Sequence, residues 1–485
     1  MFSSSSGRHK NVPPSPWKLP FIGNFHQLYA PYHRSLWNLA KKHGPLMLLH
    51  LGSVPVLVVS SMEPAREIMK TNEFAFLNRG EIGILKKLSY NGKDLALADY
   101  GEYWRQLKSL VVLHLLSNKT VQSFQKVREE EISIMIDNIS DSCGLVVDFT
   151  ELLLSVVNNV VCRVTLGKKY TDKRFLKLVE DFKKLVVLFT VGQYIPCLAW
   201  VDRIRGLNVR TQKVAKEFDE FLEGVIEERL NSNKEESARM HQNGVMVDQA
   251  KYFIDTLLEK QKEEGGGNFY MDRDTIKATI LDMFSGVADT MFTTLEWALS
   301  ELVKNPLVMK KLQNEVNTIA QGKPQISDED LGKLEYLKAV FKETMRLHAP
   351  APLVVRASSQ DVKIMGYDIK AKTRVFINLW ALGQDHEIWK DPKEFRPERF
   401  LDSPYFDYKG NHHEFIPFGG GRRGCPGINF ANTLMELVLA NMIYKFDFNL
   451  PGGEKRENLD MTDRIALTVH RKNHLLLVAG PHSKP

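Results

Sequence analysis

The segment "RDTIKATILDMFSGVADTMFTTLEWALSELVK", residues 273–304, restricts the fold more than any other stretch of the chain. It has the length of one helix of about nine turns. Asn305-Pro306 supplies its stop, because the residue before a proline is driven out of helical geometry. Its middle is apolar on nearly every face. Such a helix cannot lie on a surface; it has to run through the centre of a large domain. A chain of 485 residues that is 43% hydrophobic and 26% charged has the material to cover it. Two polar residues interrupt the apolar middle, Asp289 and Thr290 in "SGVADTMF". Burying them is costly unless they are used. A threonine can bond the carbonyl four residues back, and Gly286 weakens the helix locally. The pair therefore predicts either a kink around a satisfied threonine or a polar pair offered to a buried pocket.

The rest of the chain reads as predominantly helical with small sheets, mostly as one domain and without internal repeats. Residues 46–60, "LMLLHLGSVPVLVVS", predict a hairpin about Gly52-Ser53. "SSMEPAREIMKT" predicts a helix with Pro64 in its first turn. "LEYLKAVFKETMRLH", residues 334–348, predicts a helix closed by Pro350 and Pro352, and "VKIMGYDIKAKTRVFI" a further hairpin. Residues 231–269 are rich in Lys, Glu, Asn and Gly and predict a mobile surface loop around a short helix.

The net charge of +6 comes with no arginine-rich stripe interleaved with aromatics, so no nucleic-acid partner is implied. No run of about 18 apolar residues exists to span a membrane. The serine-rich opening reads as a trimmed end, and Pro13, Pro14, Pro16 and Pro20 make a stiff extended leader. Such a leader suits a spacer between an anchor missing from this chain and a folded body. We divide the chain into residues 1–34, leader and proline-rich hinge, and residues 35–485, one domain.

The four cysteines, Cys143, Cys162, Cys197 and Cys425, are far apart and form no CxxC pair, which argues against a disulfide framework or a zinc ribbon. The first three sit among apolar residues and are expected to be buried thiols. Cys425 stands apart, in "FIPFGGGRRGCPG". Glycines strip side chains from its loop so that peptide N–H groups can face the sulfur. Arg422 and Arg423 add positive charge, and a helix follows. All three influences favour thiolate. A thiolate there can be a nucleophile, a redox centre or a metal ligand. The commoner fate of a lone cysteine is a structural thiol. "GGGRRG" lacks the preceding strand and the Lys-Ser/Thr pair of a phosphate loop.

Glu343 and Arg346, three apart in "KETMR", share a helix face. Such pairs are usually on the surface. Arg399 in "PKEFRPERF" is a further arginine, and a buried Arg–Glu–Arg cluster is expensive unless it fixes geometry near something important.

These constellations converge on one family. "FGGGRRGCPG" resembles the thiolate loop of the cytochrome P450 family, with Phe418, Gly421, Arg423, Cys425 and Gly427 at every fixed position of Phe-xx-Gly-x-Arg-x-Cys-x-Gly. "KETMR" is similar to that family's Glu-xx-Arg, "PERF" to its downstream arginine motif and "YWRQLK" to its Trp-xxx-Arg. The resemblance covers about residues 13–480. "PPSPWKLPFIGN" and "FRPERF" resemble the plant microsomal A-type branch. "YNGKDLALADYGEYWRQLKSL", "LLSNK" and "EFIPFG" resemble its furanocoumarin-forming members, the psoralen and angelicin synthases.

The resemblance implies a mainly α fold with small β-sheets, the P450 fold, in which the long central helix lies over a b-type haem. Cys425 would be the iron ligand, its thiolate donating electron density. Phe418 would pack beside the sulfur, with Gly427 and Ala288 against the cofactor. Arg423, Arg356 and Trp104 would bond the propionates. Lys108 stands where the family has arginine, which keeps the charge but loses the bidentate fork. Glu343, Arg346 and Arg399 would be structural. Thr290 would hold dioxygen and its water, and Asp289 would relay protons. Val287 replaces the second glycine of the family's Ala/Gly-Gly-x-Asp/Glu-Thr, which puts a branched side chain where backbone is normally open.

By position, the substrate residues are Ile82, Ile84, Leu85 and Leu88; Val187 and Phe189; Phe284, Ala288 and Met291; Leu353, Val354 and Val355; and Ile465, Ala466 and Leu467. All are apolar, which suits a small flat apolar or phenolic substrate. The implied activity is a monooxygenase using O2 and electrons from NADPH through NADPH-cytochrome P450 reductase, with Arg422 left for reductase docking. The implied setting is the cytosolic face of the endoplasmic reticulum membrane, as a monomer. Alternatives are the family's oxygen-independent isomerases and dehydratases, and a substrate outside the coumarins, such as a terpenoid or another phenolic.

Overall fold

The computed structural model describes residues 11–80, 83–171, 173–243, 251–262, 271–403, 405–408, 414–465 and 468–482, without the side chains of 233–243 and 465. Residues 273–304 are one continuous helical run, Arg273–Asp282, Met283–Ala288 and Asp289–Lys304, and the last part is buried almost throughout. Its middle section is wound as a π-helix. The cause is local: Thr290 Oγ1 donates to the Gly286 carbonyl at 2.8 Å and to that of Val287 at 3.3 Å, and Thr294 Oγ1 donates to the Thr290 carbonyl at 2.8 Å. Hydroxyls that compete for helix carbonyls widen the turn, and such widened turns gather at functional sites.

The long helix is enclosed by Phe149–Leu166, Glu335–Leu347 and Ile428–Lys445, each of which packs against it. Leu295, Leu299 and Leu302 on the long helix join Val157, Val160 and Val161 and Leu434, Leu437 and Val438 in one core cluster. Full burial of each such side chain contributes about 1.5–3 kcal/mol. Among the described residues, Phe149–Leu166 is the single helix long and apolar enough to cross a membrane, and most of it is buried inside the fold.

The main sheet has four strands in the order Leu46–Leu51, Val54–Val59, Arg374–Asn378, Leu353–Ala357. The first pair is the predicted hairpin, the second pairing is parallel and the third antiparallel. The second predicted hairpin spans only Val362–Ile364 and Tyr367–Ile369; the residues after it join the main sheet instead. The leader is not a free spacer over its described part. The Leu48 N–H donates to Pro14, Asn24 donates to His50, and Asn24 is completely buried.

Two expectations fail. Residues 231–243 continue a helix, Leu207–Asn243, rather than opening a loop; the Lys and Glu that suggested a loop are also good helix formers. The short helix within that region is Phe253–Lys262. Of the three expected buried thiols, Cys162 is buried, Cys143 half-buried and Cys197 exposed; Pro196 and Cys197 sit on a short surface turn, where apolar neighbours in sequence are not neighbours in space.

Candidate functional site

The Cys425 loop is built from backbone. The Cys425 N–H donates to the Phe418 carbonyl at 2.9 Å, and the Gly427 N–H donates to Cys425 Sγ at 3.3 Å. Gly421 has φ +66° and carries no side chain because a Cβ there would collide with the Glu73 carboxylate, which accepts the Arg422 N–H. The helix Ile428–Lys445 starts three residues after the sulfur. Burial pushes the Cys425 thiol up, and the Gly427 N–H and the charge of Lys108 only partly offset it. Desolvation outweighs one hydrogen bond and one distant charge. Cys425 nonetheless keeps accessible surface.

Beside the sulfur lies a cluster of cations. Arg356 and Arg423 are buried, and burial is the first cause lowering the pKa of each. Arg423 is brought down to about 10, as is Arg79. Lys108 is lowered by burial and then by Arg423. The charges of Arg79 and Arg423 press on Arg356, and that of Arg79 on Arg423. Among the described residues none of the four makes an ion pair; they spend donors on carbonyls. Arg423 Nε reaches Leu77 at 2.8 Å and Nη1 reaches Leu95 at 3.3 Å. Arg79 Nη1 reaches Val355 at 2.8 Å, and Lys108 reaches the Arg422 carbonyl. Among the described residues Arg356 donates only to the carbonyl of its own neighbour Val355, at 3.2 Å. The Trp104 indole N–H is taken by the Leu95 carbonyl at 3.0 Å; its ring stands 4.2 Å from the Arg423 guanidinium carbon and 5.2 Å from Lys108 Nζ. Trp104 thus steadies the cations by a cation–π contact rather than offering a free donor. Asp94, Asp99 and Glu73 act on these cations from nearby without pairing with them, and buried cations left unpaired are suited to receive an anionic group.

On the long helix, Gly286 is exposed and Thr290 half-buried in the middle of an otherwise covered element. A Cβ at Gly286 would meet nothing within 4 Å. Val287 packs against the central core, so the branched side chain does not close this opening. Asp289 is turned elsewhere. Its Oδ1 pairs with Lys183 at 2.6 Å, on the helix Lys173–Val186, and its Oδ2 accepts from Thr468 at 2.7 Å. Thr468 and Thr293 share a further bond at 2.7 Å.

Glu343, Arg346 and Arg399 are all buried and joined. Arg346 Nε and Nη2 meet the Glu343 carboxylate at 2.7 and 2.8 Å, and Arg399 Nε meets it at 2.9 Å. Arg346 also ties down the carbonyls of Gly383, Pro392 and Glu394. Phe418 is half-buried, edge-on to Tyr408.

The substrate candidates divide. Leu85, Leu353, Val354 and Val355 are half-buried. Ile84 and Leu88 are buried among Leu178, Phe182, Leu185 and Leu281, and Phe284, Ala288 and Met291 lie in the central core. Val187 and Phe189 are exposed; Phe189 stacks on Tyr194 and meets Phe25 at the leader, so the structure does not bring these two to the site. Ile82, Ala466 and Leu467, and the side chain of Ile465, lie outside the described residues. Sequence reasoning missed Arg79 and Lys183. Arg79 is a lone basic residue and Lys183 is one of an adjacent pair with Lys184, and only the folded chain shows that they face inward.

A family model described as Cytochrome P450 matches residues 13–478. A 3-beta-hydroxylase of Tanacetum parthenium is 48% identical over 479 residues, covering 98% of this chain and 94% of that protein. The psoralen synthase of Ammi majus is 48% identical over 477 residues, covering 98% and 93%. Among solved structures, a zebra fish cytochrome P450 with progesterone superposes with a TM-score of 0.78 at 23% identity, covering 93% of this chain and 100% of that one.

Proposed function

The chain belongs to the cytochrome P450 family of haem-dependent monooxygenases, and from that premise we propose that Cys425, the four cations and the Gly286–Thr290 turn form one haem-thiolate site acting on a small apolar or phenolic substrate. The observation that supports this reading is the set of four largely buried cations that make no ion pair among the described residues, beside a sulfur that keeps accessible surface. The donor set fits the group: one sulfur for the iron, and Arg79, Lys108, Arg356 and Arg423 for two carboxylates. Bound there, haem b supplies the activation of dioxygen, with electrons that NADPH provides through a reductase.

The residues then have separate tasks. Cys425 gives up its proton to bind iron, and the Gly427 N–H tunes the sulfur. Arg356, the cation with fewest protein partners, takes a carboxylate. Thr290 presents its hydroxyl at the opened turn, where Gly286 leaves room. Asp289, held by Lys183 and Thr468, passes protons inward. Asp289→Asn is expected to lower kcat roughly 100-fold, the usual size of a positioned acid–base contribution, with KM little changed and reducing equivalents diverted to hydrogen peroxide. An unchanged kcat would remove Asp289 from the reaction.

We read residues 35–485 as one domain and the protein as a monomer on the cytosolic face of the endoplasmic reticulum membrane. Trp17, Phe21, Tyr29, Trp200, Ile204 and Val209 are large apolar residues left exposed, in or near the leader and the 194–209 region. A surface hollow of about 340 Å³ joins the leader to that region between Lys18–Gly23 and Tyr194–Cys197. Exposed apolar surface of this kind suits an interface with lipid. Arg422, exposed and steadied by Glu73 and Phe74, suits the reductase face.

The psoralen synthase supports a coumarin-like substrate, and the 3-beta-hydroxylase is an equally similar relative. A binding screen by haem spin-state shift separates these classes. Linear coumarins are expected to shift the spectrum at lower concentration than terpenoids; the reverse order would overturn the coumarin reading while leaving the monooxygenase intact.

A further inference from the structure

The segment 94–98 threads between the cation cluster and the long helix, and its peptide groups are divided by polarity. Its carbonyls face the cations: Leu95 accepts from Trp104 Nε1 at 3.0 Å and from Arg423 Nη1 at 3.3 Å, Ala96 accepts from Arg79 Nε at 3.2 Å, and Ala98 accepts from Arg423 Nη2 at 2.5 Å. Two of its N–H groups face acids. The Leu95 N–H donates to Asp282 Oδ2 at 2.7 Å, and the Leu97 N–H to Asp94 Oδ1 at 3.3 Å. Asp282 sits eight residues before Thr290 on the long helix, about 12 Å along its axis.

The two acids are near each other and to the cations. Burial first, and then Asp94, pushes the Asp282 carboxyl well above the carboxylate range, while the Leu95 and Ala96 N–H groups pull it back. Burial raises Asp94 to about 7 against the pull of Leu97, Arg423 and Arg79. Among the described residues Asp282 makes no ion pair, and its contacts are peptide N–H groups, that of Leu95 foremost. A carboxyl on a central helix that spends itself on a loop N–H fixes where that loop lies.

We propose that Asp282 is a positioning residue for the cation cluster: by accepting the Leu95 N–H it sets the register in which the carbonyls of residues 95–98 meet Trp104, Arg79 and Arg423. The donors these carbonyls occupy, and the ones they leave free, decide which guanidinium N–H groups remain for an incoming carboxylate. The same contact ties the substrate-side segment holding Leu85 to the helix holding Thr290. This role rests on the reading that the cluster receives the haem carboxylates.

The test compares haem-loaded wild type with Asp282→Asn and Asp282→Leu by amide hydrogen exchange and by the rate of haem loss to an excess of apomyoglobin. Asn keeps a neutral acceptor in the same place and is expected to stay within about threefold of wild type on both readouts. Leu removes the acceptor. Exchange of the 95–98 amides and haem loss are each expected to rise roughly tenfold, the scale of one lost hydrogen bond to a buried group, with exchange in 289–304 unchanged. Should Asp282→Leu not accumulate, Asp282→Ser, whose hydroxyl is too short to reach, takes its place under the same criteria. Equal haem loss and equal 95–98 exchange in the acceptor-less variant and wild type would overturn the role. Wild type that retains no haem would instead overturn the reading of the cluster itself.

Discussion

Glu343→Gln is expected to lower stability by about 3–5 kcal/mol, the scale for breaking a buried ion pair by removing one partner. The carboxylate accepts four donors, three from Arg346 and Arg399 and a fourth from the Arg396 N–H at 2.8 Å. All three side chains are buried. An amide keeps the shape but leaves two guanidinium charges uncompensated in the interior. A loss of that size is a large share of a total stability of about 5–15 kcal/mol, so the variant is expected to unfold at clearly lower denaturant and to retain less cofactor than wild type. Denaturant midpoints and haem content measure it. Replacing all three residues by apolar ones of similar volume is expected to recover much of the loss, since the cost arises from unpaired charge. A loss below about 1 kcal/mol for Glu343→Gln would mean that the cluster is not the junction it looks to be.

How much of this could be read from the chain itself depended on whether the residues that act together are also close in sequence. The apolar run of 273–304 dictates a central helix, and it is one. Thr290 with Gly286 predicts a disturbed turn, and the turn is a π-helix. Glu343 and Arg346 are three apart, so a helix alone brings them together, and Phe418–Gly427 is one loop. The cation cluster had no such signature. Arg79, Lys108, Arg356 and Arg423 come from four distant segments, and it takes the main sheet and the Cys425 loop to assemble them. Lys183 reaches Asp289 across 106 residues; no local pattern announces that. The balance of influences on the Cys425 thiol is non-local for a related reason. Glycines, arginines and a following helix are visible in the sequence, but the depth of burial that outweighs them is a property of the folded chain. Val187 and Phe189 are exposed, Phe189 beside the leader, which the sequence did not show because apolar character does not distinguish a pocket wall from a surface.

Cys425→Ser is the second large effect. The Cys425 N–H bond to Phe418 is a backbone contact and survives the change, so the variant is expected to fold with nearly the wild-type melting temperature. What it loses is the sulfur. Burial raises the thiol pKa, so binding iron as thiolate is expected to release a proton. Haem retention by the wild type is therefore expected to strengthen as pH rises towards the thiol pKa, and that dependence should vanish in the serine variant.

The most direct measurement is the carbon monoxide difference spectrum of the reduced, haem-loaded protein. A thiolate ligand predicts a band near about 450 nm in the wild type at neutral pH, absent from Cys425→Ser. A wild-type band displaced to shorter wavelength, or a 450 nm band that persists without the cysteine, would contradict the assignment of Cys425 to the iron.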